Sequence, residues 1–448
     1  MTERAKAVAA AGAVAAFWLA VWMLMAGFVA QPLILPGPGA VVVALLRLVC
    51  DASTWAILAG SGARILGGLA LAAVCGGVLA GVSVRSLTFA RLVAPALSFV
   101  KATPVTCVVV LLLIWLGSAR VSIAAVFLMA LPGVYFSLVE GLMQADKPLE
   151  QMFRLHGVRG WRLFCAHTWR EVLPFVLSCA RAVIGMSWKA GVAAELIGMA
   201  VGTVGERIYQ AKLLIETADL LAWTVLVVAA SWACERVLVW LLRASGPVAW
   251  RAAVRAHGRS LHGRAGAADV AELALAVGDR APWAPALDGL VLNVPAGGRA
   301  CVMGASGAGK TTLLALAAGE CAPCSMMFQD ARLVEDASAL DNVLVCADAR
   351  VDASSAAALL RLLVPGIDVH ACTAEFSGGQ RRRVEIARAL LCPGGAVILD
   401  EPFTGLDVAA RDATAEVVLD LLDGRTLLFA THDASDAQAL DISDIITL

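Results

Sequence analysis

A glycine-rich loop that contains one lysine and two threonines is the part of this sequence whose residue types best suit chemistry. It fits the pattern G-x-x-x-x-G-K-[ST]. Its glycines let the main chain fold closely around phosphate oxygens, while the lysine can reach the β- and γ-phosphates and a threonine hydroxyl can bind Mg²⁺. The loop therefore predicts a site for a nucleotide with Mg²⁺, formed by Gly304, Ser306, Gly307, Ala308, Gly309, Lys310, Thr311 and Thr312.

Two buried strands must position the residues that act on this nucleotide. The apolar run Ala300–Met303 predicts a strand before the loop, and Leu313–Ala318 predicts the helix after it. A second apolar run, 396–399, predicts a strand that delivers Asp400 to Mg²⁺. Glu401 then stands beside it, where a carboxylate could polarise the attacking water.

Further polar motifs follow along the chain. Gln329 comes after the helix predicted over Leu313–Ala318. Ser377–Gly379 precede a basic helix predicted to start near Gln380. The start of such a helix suits a phosphate group, because its first N–H groups have no partner within the helix. Two short motifs come last, Gly405-Leu406-Asp407 and Thr431-His432-Asp433.

The composition is too apolar for an ordinary pair of soluble domains. Of 448 residues, 60% are hydrophobic and 16% are charged, and the mean hydropathy is +0.80. A membrane domain is therefore predicted, while the formal net charge of −1 gives no sign of a nucleic-acid partner. The 12 cysteines show no repeated spacing, so neither a disulfide framework nor a zinc site is indicated, and a redox role for Cys321 and Cys324 stays open.

Six apolar runs in the first half of the chain are long enough to cross a bilayer. The predicted spans are 8–30, 56–84, 92–116 with interruptions at Pro95 and Pro104, 121–139, 172–200 and 220–242. Arginine and lysine residues concentrate after spans two, four and six, so the positive-inside rule places these loops in the cytoplasm. The N-terminus, the second half of the chain and the C-terminus are thus predicted to be cytoplasmic.

The chain is predicted to divide after its last span. Residues 1–243 form the membrane domain, and 244–269 form a basic linker in which Ser245-Gly246-Pro247 breaks the last helix. From 270 to 448, predicted strands and helices alternate, which indicates an α/β domain with a largely parallel sheet. The predicted fold is a polytopic α-helical membrane domain of six spans followed by an α/β domain with a P-loop.

The loop between spans four and five has its own structural prediction. Leu149–Gly157 predicts a short amphipathic helix with a glycine cap, and Leu173-Pro174 is predicted to open the next span. This loop resembles the coupling loop of permease subunits in ATP-binding cassette importers, although the usual Glu-Ala-Ala is here Gln151-Met152-Phe153. Three more stretches resemble the nitrate/sulfonate/taurine branch of these permeases: Leu35–Pro38, Lys101–Val105 and Ser187–Glu195.

Two ionisable residues in the fifth span admit two interpretations. A charge within a span is costly and often marks a pathway, so Lys189 is a candidate contact for an anionic solute. Alternatively, the Lys189 side chain extends toward the membrane surface and Glu195 lies near the outer surface. The two residues are six positions apart and hence do not share one helical face.

The motifs of the second half, in their order, are identified as those of an ATP-binding cassette ATPase, and the signature Phe376–Gln380 is the most specific of them. This resemblance implies that two such domains enclose ATP head to tail, so that the phosphate loop of one faces the signature of the other, with Asp407 in the nucleotide-binding set. It also implies that Gln329 senses Mg²⁺ and the permease, and that His432 contacts the γ-phosphate. Trp283 is a candidate for stacking on adenine and equally a candidate core residue.

The segment from Lys310 to Gln329 is shorter than is usual in that family. It leaves room for a helix ending near Gly319, a Cys-Pro turn and a strand over 325–328, but not for the usual antiparallel hairpin. We expect weaker nucleoside contacts and intact phosphate chemistry.

The combined resemblance implies a fused half-importer in the cytoplasmic (inner) membrane. One chain would supply a six-span permease and one ATPase of the ATP-binding cassette type. Two copies would work together in the lipid bilayer, and an external solute-binding protein would deliver a small anionic or polar solute. Two alternatives stay open: a half-exporter of the same superfamily, and a membrane-anchored ATPase that signals without transport.

Overall fold

The computed structural model of the chain describes residues 3–256, 272–276, 287, 289–321 and 324–448. Their contacts divide the chain into two compact units. The first unit contains residues 1–144 and 172–245, and the second contains 145–171 and 246–448. The loop between predicted spans four and five therefore groups with the second half of the chain. The predicted partition into 1–243, 244–269 and 270–448 stays a prediction.

Within residues 3–256 the chain forms eleven α-helices. In chain order they are α1 (Glu3–Val29), α2 (Pro38–Cys50), α3 (Ala52–Arg85), α4 (Leu87–Ala102), α5 (Val105–Leu116), α6 (Ser118–Gln144), α7 (Lys147–Leu155), α8 (Gly160–Leu163), α9 (Trp169–Gly198), α10 (Val204–Leu213) and α11 (Thr217–Arg255). A π-helical turn, Phe164–Thr168, joins α8 to α9.

Five of the described helical segments are long and apolar enough to cross a membrane, and they confirm five of the predicted spans. They are α1, α3, α6, α8 to α9 as one segment, and α11. The predicted span over 92–116, with its interruption at Pro104, corresponds to α4 and α5, which together are long and apolar enough to cross a membrane but meet at 103°, as in a broken span or a re-entrant loop. Thr103 precedes Pro104 and is extended, as a residue before proline prefers, whereas Pro95 lies inside α4 without ending it.

Glycines allow α3 and α6 to pack closely in the first unit. A Cβ added at Gly68 would lie 2.5 Å from the main-chain oxygen of Ile123, and one at Gly76 would lie 2.8 Å from Val134 Cγ1. Small residues at a helix contact let two backbones approach each other, which is a common way of joining helices in membranes.

Glu195 lies deep in the first unit. Its side chain is fully buried and accepts hydrogen bonds from Ser61 Oγ at 2.8 Å and from Arg64 Nε at 3.1 Å. Lys189 is exposed on the same helix, as expected for two residues on different faces. A buried carboxylate needs such donors because burial without a partner is costly, and α3 supplies them to α9.

Two prolines lie inside helices that they were predicted to end or to open. Pro247 lies within α11, which continues to Arg255, so the predicted break at 245–247 is wrong. Pro174 lies within α9, which begins at Trp169, so the prediction that Leu173-Pro174 opens this span is also wrong. A proline removes only one main-chain donor, and long apolar helices tolerate this when neighbouring groups satisfy the carbonyl that is freed.

A five-stranded parallel sheet forms the centre of the second unit. The strands of this unit are β1 (Leu273–Ala276), β2 (Val291–Val294), β3 (Arg299–Met303), β4 (Ser325–Met327), β5 (Ala396–Asp400), β6 (Thr426–Thr431) and β7 (Ile445–Thr447). The order in the sheet is β4-β5-β6-β3-β7, with every neighbouring pair parallel, while β1 and β2 form a separate antiparallel pair. The predicted α/β domain with a largely parallel sheet is confirmed.

Helices and two apolar clusters cover the parallel sheet. The helices are α12 (Lys310–Glu320), α13 (Ala339–Leu344), α14 (Ala353–Leu363), α15 (Gly378–Leu391), α16 (Val408–Leu421) and α17 (Ala434–Ala439), and Thr373–Glu375 form a 3₁₀ turn. Neighbouring residues of one strand belong to different clusters, Ile398 to the first and Leu399 to the second. This alternation is expected of a strand that is buried on both faces.

Candidate functional site

The phosphate loop joins the end of β3 to the start of α12. Gly307 and Gly309 have φ angles of +84° and +96°, which favour glycine, and a Cβ at Gly309 would lie 3.3 Å from Leu287. Because α12 begins at Lys310, the N–H groups of its first turn have no carbonyl partner within the helix and lie beside the loop. The loop and this helix start together offer an anion-binding surface.

The ammonium group of Lys310 lies over this loop. Lys310 is buried, and its Nζ donates to the main-chain oxygens of Gly304 at 2.6 Å and Ala305 at 3.2 Å. The same Nζ lies 3.8 Å from Glu401 Oε1. A phosphate group that enters the loop could therefore replace these carbonyl oxygens as the acceptor of Lys310 Nζ and form a charge-assisted hydrogen bond.

Three oxygen-bearing side chains meet beside Lys310. Thr311 Oγ1 donates to Asp400 Oδ2 at 2.7 Å and lies 3.5 Å from Gln329 Oε1. Asp400 is buried, and its Oδ1 has no hydrogen-bond partner among the residues that the structure describes. Burial raises the pKa of Asp400, although the Thr311 hydroxyl opposes this shift. A hydroxyl, an amide oxygen and a carboxylate with an unpaired oxygen form a donor set that fits Mg²⁺.

Glu401 follows β5 and faces both Lys310 and His432. Its Oε1 lies 3.4 Å from His432 Nδ1, and its Oε2 accepts a hydrogen bond from Thr404 Oγ1 at 3.3 Å. The φ angle of Glu401 is +48°, in the left-handed region that non-glycine residues rarely adopt. An unusual backbone conformation at a carboxylate beside the phosphate loop is typical of a residue with a functional constraint.

The predicted signature lies at the start of α15, which begins at Gly378, two residues before the predicted start. Ser377 caps this helix, because its hydroxyl accepts from Gln380 N at 3.3 Å while Gln380 Oε1 accepts from Ser377 N at 2.9 Å. Asp407 caps α16 by accepting from Ala410 N at 2.8 Å. Within the described chain, no hydrogen bond or ion pair joins Ser377–Gln380 or Asp407 to Lys310, Thr311 or Asp400.

Two further predictions about the nucleotide site concern Trp283 and the segment from Lys310 to Gln329. Trp283 lies outside the described residues. Between Lys310 and Gln329, the described residues form α12 and β4, and no antiparallel hairpin occurs among them. The helix ends at Glu320, one residue beyond the predicted end.

The predicted amphipathic helix of the loop after α6 is confirmed as α7, and Gly157 caps it with a φ of +76°. Its apolar face, Leu149, Met152 and Phe153, is buried in the same cluster as β4 and its neighbours. His156 Nε2 accepts a hydrogen bond from Met326 N at 3.3 Å, and its Nδ1 lies 3.0 Å from Met152 Sδ. Burial, with a smaller contribution from the charge of Arg388, lowers the pKa of His156 to about 3.

Sequence reasoning missed two residues of this region. His156 was seen only as the residue before a glycine cap, although its ring joins α7 to β4. Arg382 was seen only as part of a basic helix, although its guanidinium contacts the main chain of both Gln329 and Glu401. The one available signal was the run of three arginines directly after Gln380.

Two family models match the chain. Residues 73–248 match the binding-protein-dependent transport system inner membrane component, and residues 287–404 match the ABC transporter model. These two matches fall in the apolar first half and on the phosphate loop, signature and Asp400–Glu401 of the second half.

Curated relatives match as well. The aliphatic sulfonates import ATP-binding protein SsuB 1 of Paracoccus denitrificans is 34% identical over 185 residues, which cover 38% of this chain and 75% of the relative. SsuB of Escherichia coli strain K12 is 36% identical over 176 residues, which cover 34% of this chain and 68% of the relative. Among solved structures, a dimeric ATP-binding cassette bound to ADP and Pi is 22% identical with a TM-score of 0.33, covering 40% of this chain and 93% of its own.

Proposed function

Because the chain belongs to the ATP-binding cassette transporter family and joins a binding-protein-dependent permease to its own ATPase, we propose that it is one half of an importer. Hydrolysis of ATP by the second unit is coupled to transport through the membrane helices of the first. The observation that carries the proposal is the presence, in one chain, of the permease match and of a phosphate loop whose Lys310 lies 3.8 Å from Glu401.

In the proposed site, each side chain has a distinct task. Lys310 and the N–H groups of the loop hold the β- and γ-phosphates, while Thr311, Gln329 and Asp400 hold Mg²⁺. When bound, Mg²⁺ neutralises charge on the phosphate oxygens. Glu401 orients the attacking water and accepts its proton, and His432, 3.4 Å from Glu401, contacts the γ-phosphate.

We propose that two copies of the chain share the nucleotide sites. Ser377–Gln380 lie at the start of α15, with Ser377 and Gly378 exposed, and they make no hydrogen bond to the phosphate loop of their own chain within the described residues. A helix start with unpaired N–H groups can still bind phosphate, and the partner chain would place it there together with Asp407. Each site would then contain the phosphate loop of one copy and the signature of the other.

We propose an anionic solute, and two cations on α9 support this choice. Arg181 and Lys189 are exposed, and neither makes an ion pair or hydrogen bond within the part of the chain that the structure describes. A charge on a membrane-spanning helix is costly unless it faces water or an opposite charge, so these residues suit a pathway that anions use. The relatives are named for the import of aliphatic sulfonates, which carry such a charge. We infer a sulfonate or a similar small organic anion.

The proposed orientation follows from the distribution of charge along the chain. The loops after spans two, four and six, where arginine and lysine residues concentrate, would face the cytoplasm together with the ATPase unit. Both chain ends would face the same side of the inner membrane. The opposite side would receive solute from an external binding protein.

Transport in vesicles tests the proposal. The purified chain is reconstituted so that the ATPase unit faces the medium, and labelled aliphatic sulfonate with a sulfonate-binding protein is enclosed in the lumen. We expect ATP to release labelled sulfonate into the medium only when the binding protein is present, and Glu401→Gln to abolish the release. ATP-driven movement into the lumen would instead favour a half-exporter, and ATP hydrolysis that no enclosed solute stimulates would favour a signalling ATPase.

A further inference from the structure

Arg382 makes more main-chain contacts than any role in a basic helix requires. It lies on α15, one helical turn after the start of that helix, and is only 8% exposed. Its Nη1 donates to the main-chain oxygens of Phe328 at 3.0 Å and Gln329 at 2.6 Å. Its Nη2 donates to those of Asp400 at 3.4 Å and Glu401 at 2.8 Å.

These four carbonyl groups lie where two neighbouring strands end and their loops begin. Strands β4 and β5 are adjacent and parallel, so the loops that follow them leave the same edge of the sheet side by side. One planar guanidinium bridges the two loops because its donors form a rigid fork. The carboxylate of Glu385 lies between this arginine and Arg388, with Oε2 at 3.9 Å from Arg382 Nη1 and Oε1 at 3.2 Å from Arg388 Nη2.

The bridge contacts the main chain at a residue with a left-handed backbone conformation. Glu401 has a φ of +48°, and an observed conformation of this kind persists only where surrounding contacts hold it. Three hydrogen bonds do so: the Glu401 N–H donates to Ala430 O at 2.9 Å, and the Glu401 carbonyl accepts from Thr404 N at 3.4 Å and, at the shorter distance of 2.8 Å, from Arg382 Nη2. Without the contact from Arg382, the carboxylate could turn away from Lys310.

We propose that Arg382 is a positioning residue for ATP hydrolysis. Arg382 fixes the Glu401 carboxylate, and it makes the position of this carboxylate depend on the loop that carries Gln329. The inference rests on the proposed role of Glu401. Arg382 itself points at carbonyl oxygens and is not a ligand of the nucleotide. It acts through the backbone of the residue that meets the water.

The hydrogen bonds of Arg382 also connect α7 with Glu401. Arg332, three residues after Gln329, donates from Nη1 to the main-chain oxygen of Pro148 at 3.0 Å, in the first turn of α7. A displacement of α7 therefore pulls on the loop of Gln329. Through Arg382, that displacement reaches Glu401.

The test compares two arginines of the full chain that make the same kind of contact, Arg382, which is buried, and Arg425, which is half-buried. Arg425 also donates to main-chain oxygens, those of Leu390 at 2.9 Å and Leu421 at 2.8 Å, but it lies at the opposite end of β6 from His432. Arg382→Lys and Arg425→Lys each keep the charge and lose the fork. ATP hydrolysis, ATP affinity and melting temperature are measured for both, and Arg382→Gln is a second variant that removes the charge together with the fork.

We expect Arg382→Lys to lower kcat about 10- to 100-fold while KM for ATP changes less than about threefold, because a misplaced carboxylate affects the reaction more than binding. Arg425→Lys should lower the melting temperature by a similar amount and leave kcat within about twofold. In a Glu401→Gln background, Arg382→Lys should cause no further loss, since the group that it positions is already gone.

Three results would overturn the inference: equal kcat losses in the two lysine variants, parallel losses of kcat and ATP affinity in both Arg382 variants, or a further large loss in the Glu401→Gln background. A failure of the proposed function looks different. In that case Glu401→Gln alone would hydrolyse ATP at a nearly normal rate, whatever the Arg382 variants do.

Discussion

Acidification should weaken the packing of α7 in the second unit through one buried histidine. His156 is 2% exposed, and its Nε2 accepts a hydrogen bond from Met326 N, so the ring is neutral with its proton on Nδ1. Protonation would remove this acceptor and place a charge in an apolar cluster. Burial accordingly lowers the pKa of His156 from 6.5 to about 3, and Arg388 adds repulsion.

The sign and the size of the effect follow from this shift. In the unfolded chain the imidazole takes up its proton near pH 6.5, whereas the folded protein resists protonation down to about pH 3. The stability that His156 contributes is therefore complete above about pH 6.5 and is lost as the pH falls toward 3. Between pH 7 and pH 5, linkage gives a loss of about 2 kcal/mol in the free energy of unfolding.

Melting temperatures of the full chain and of His156→Gln, measured in detergent at pH 7 and pH 5, test this reasoning. Glutamine can accept the Met326 hydrogen bond and does not titrate, so every other group cancels in the comparison. The difference between the two melting temperatures should change by about 4–8 °C from pH 7 to pH 5, to the disadvantage of the unmodified chain. An unchanged difference would show that the imidazole is not held neutral in this cluster.

Three further predictions concern the nucleotide and the membrane helices. Glu401→Gln should bind ATP and release almost no phosphate, because the phosphate and metal contacts survive while the water loses its acceptor; near-normal phosphate release would exclude the assigned role. Glu195→Ala should destabilise the fold by about 3–5 kcal/mol, since it leaves a partly buried arginine unpaired, whereas Lys189→Ala should leave the melting temperature nearly unchanged. Equal shifts in these two variants would contradict that account. ATP and GTP should compete almost equally, because the short segment 310–329 gives adenine little support; a strong preference for ATP that Trp283→Ala abolishes would refute this.

Residues that stand close together in the sequence could be predicted as a site. Residues 304–309 join a strand to the helix that starts at Lys310, and this arrangement determines which backbone groups face a phosphate. Asp400 and Glu401 follow a run of apolar residues, which β5 buries along its whole length. At these positions the hydrophobic pattern predicts the strand, and the residue types predict the ligand, so the site can be located without knowing the rest of the fold.

Contacts between distant residues could not be predicted in this way. Glu195 receives its hydrogen bonds from Ser61 and Arg64, which precede it by 134 and 131 positions, and no spacing rule joins a span to a partner that far away. Arg382 stands second in a run of three arginines, and only the pairing of β4 with β5 shows why this one reaches two loops. Such contacts depend on the strand order and the helix packing of the complete fold.

The positions of prolines predicted the ends of helices in only some cases. Pro104 marks a true break, because the extended residue before it ends α4 and leads to the bend of 103°. Pro174 and Pro247 lie inside continuous helices. Pro104 stands at the N-cap of α5, where a proline costs little, whereas Pro174 and Pro247 each remove one donor inside a helix, and the surrounding packing, which the sequence does not display, decides whether such a helix continues.

The central claim, that two copies of this chain complete each other's ATP sites, is tested most directly by mixing two inactive variants. Lys310→Ala removes the ammonium from the phosphate loop. Gly378→Asp puts a carboxylate where the signature would meet phosphate, and a Cβ at Gly378 meets no atom within 4 Å, so the fold of the variant should be preserved. Dimers of either variant contain no intact site, whereas a mixed dimer, isolated through two different affinity tags, contains one. We predict that the mixed dimer hydrolyses ATP well above the rate of either parent, and a mixed dimer as inactive as its parents would contradict the shared site.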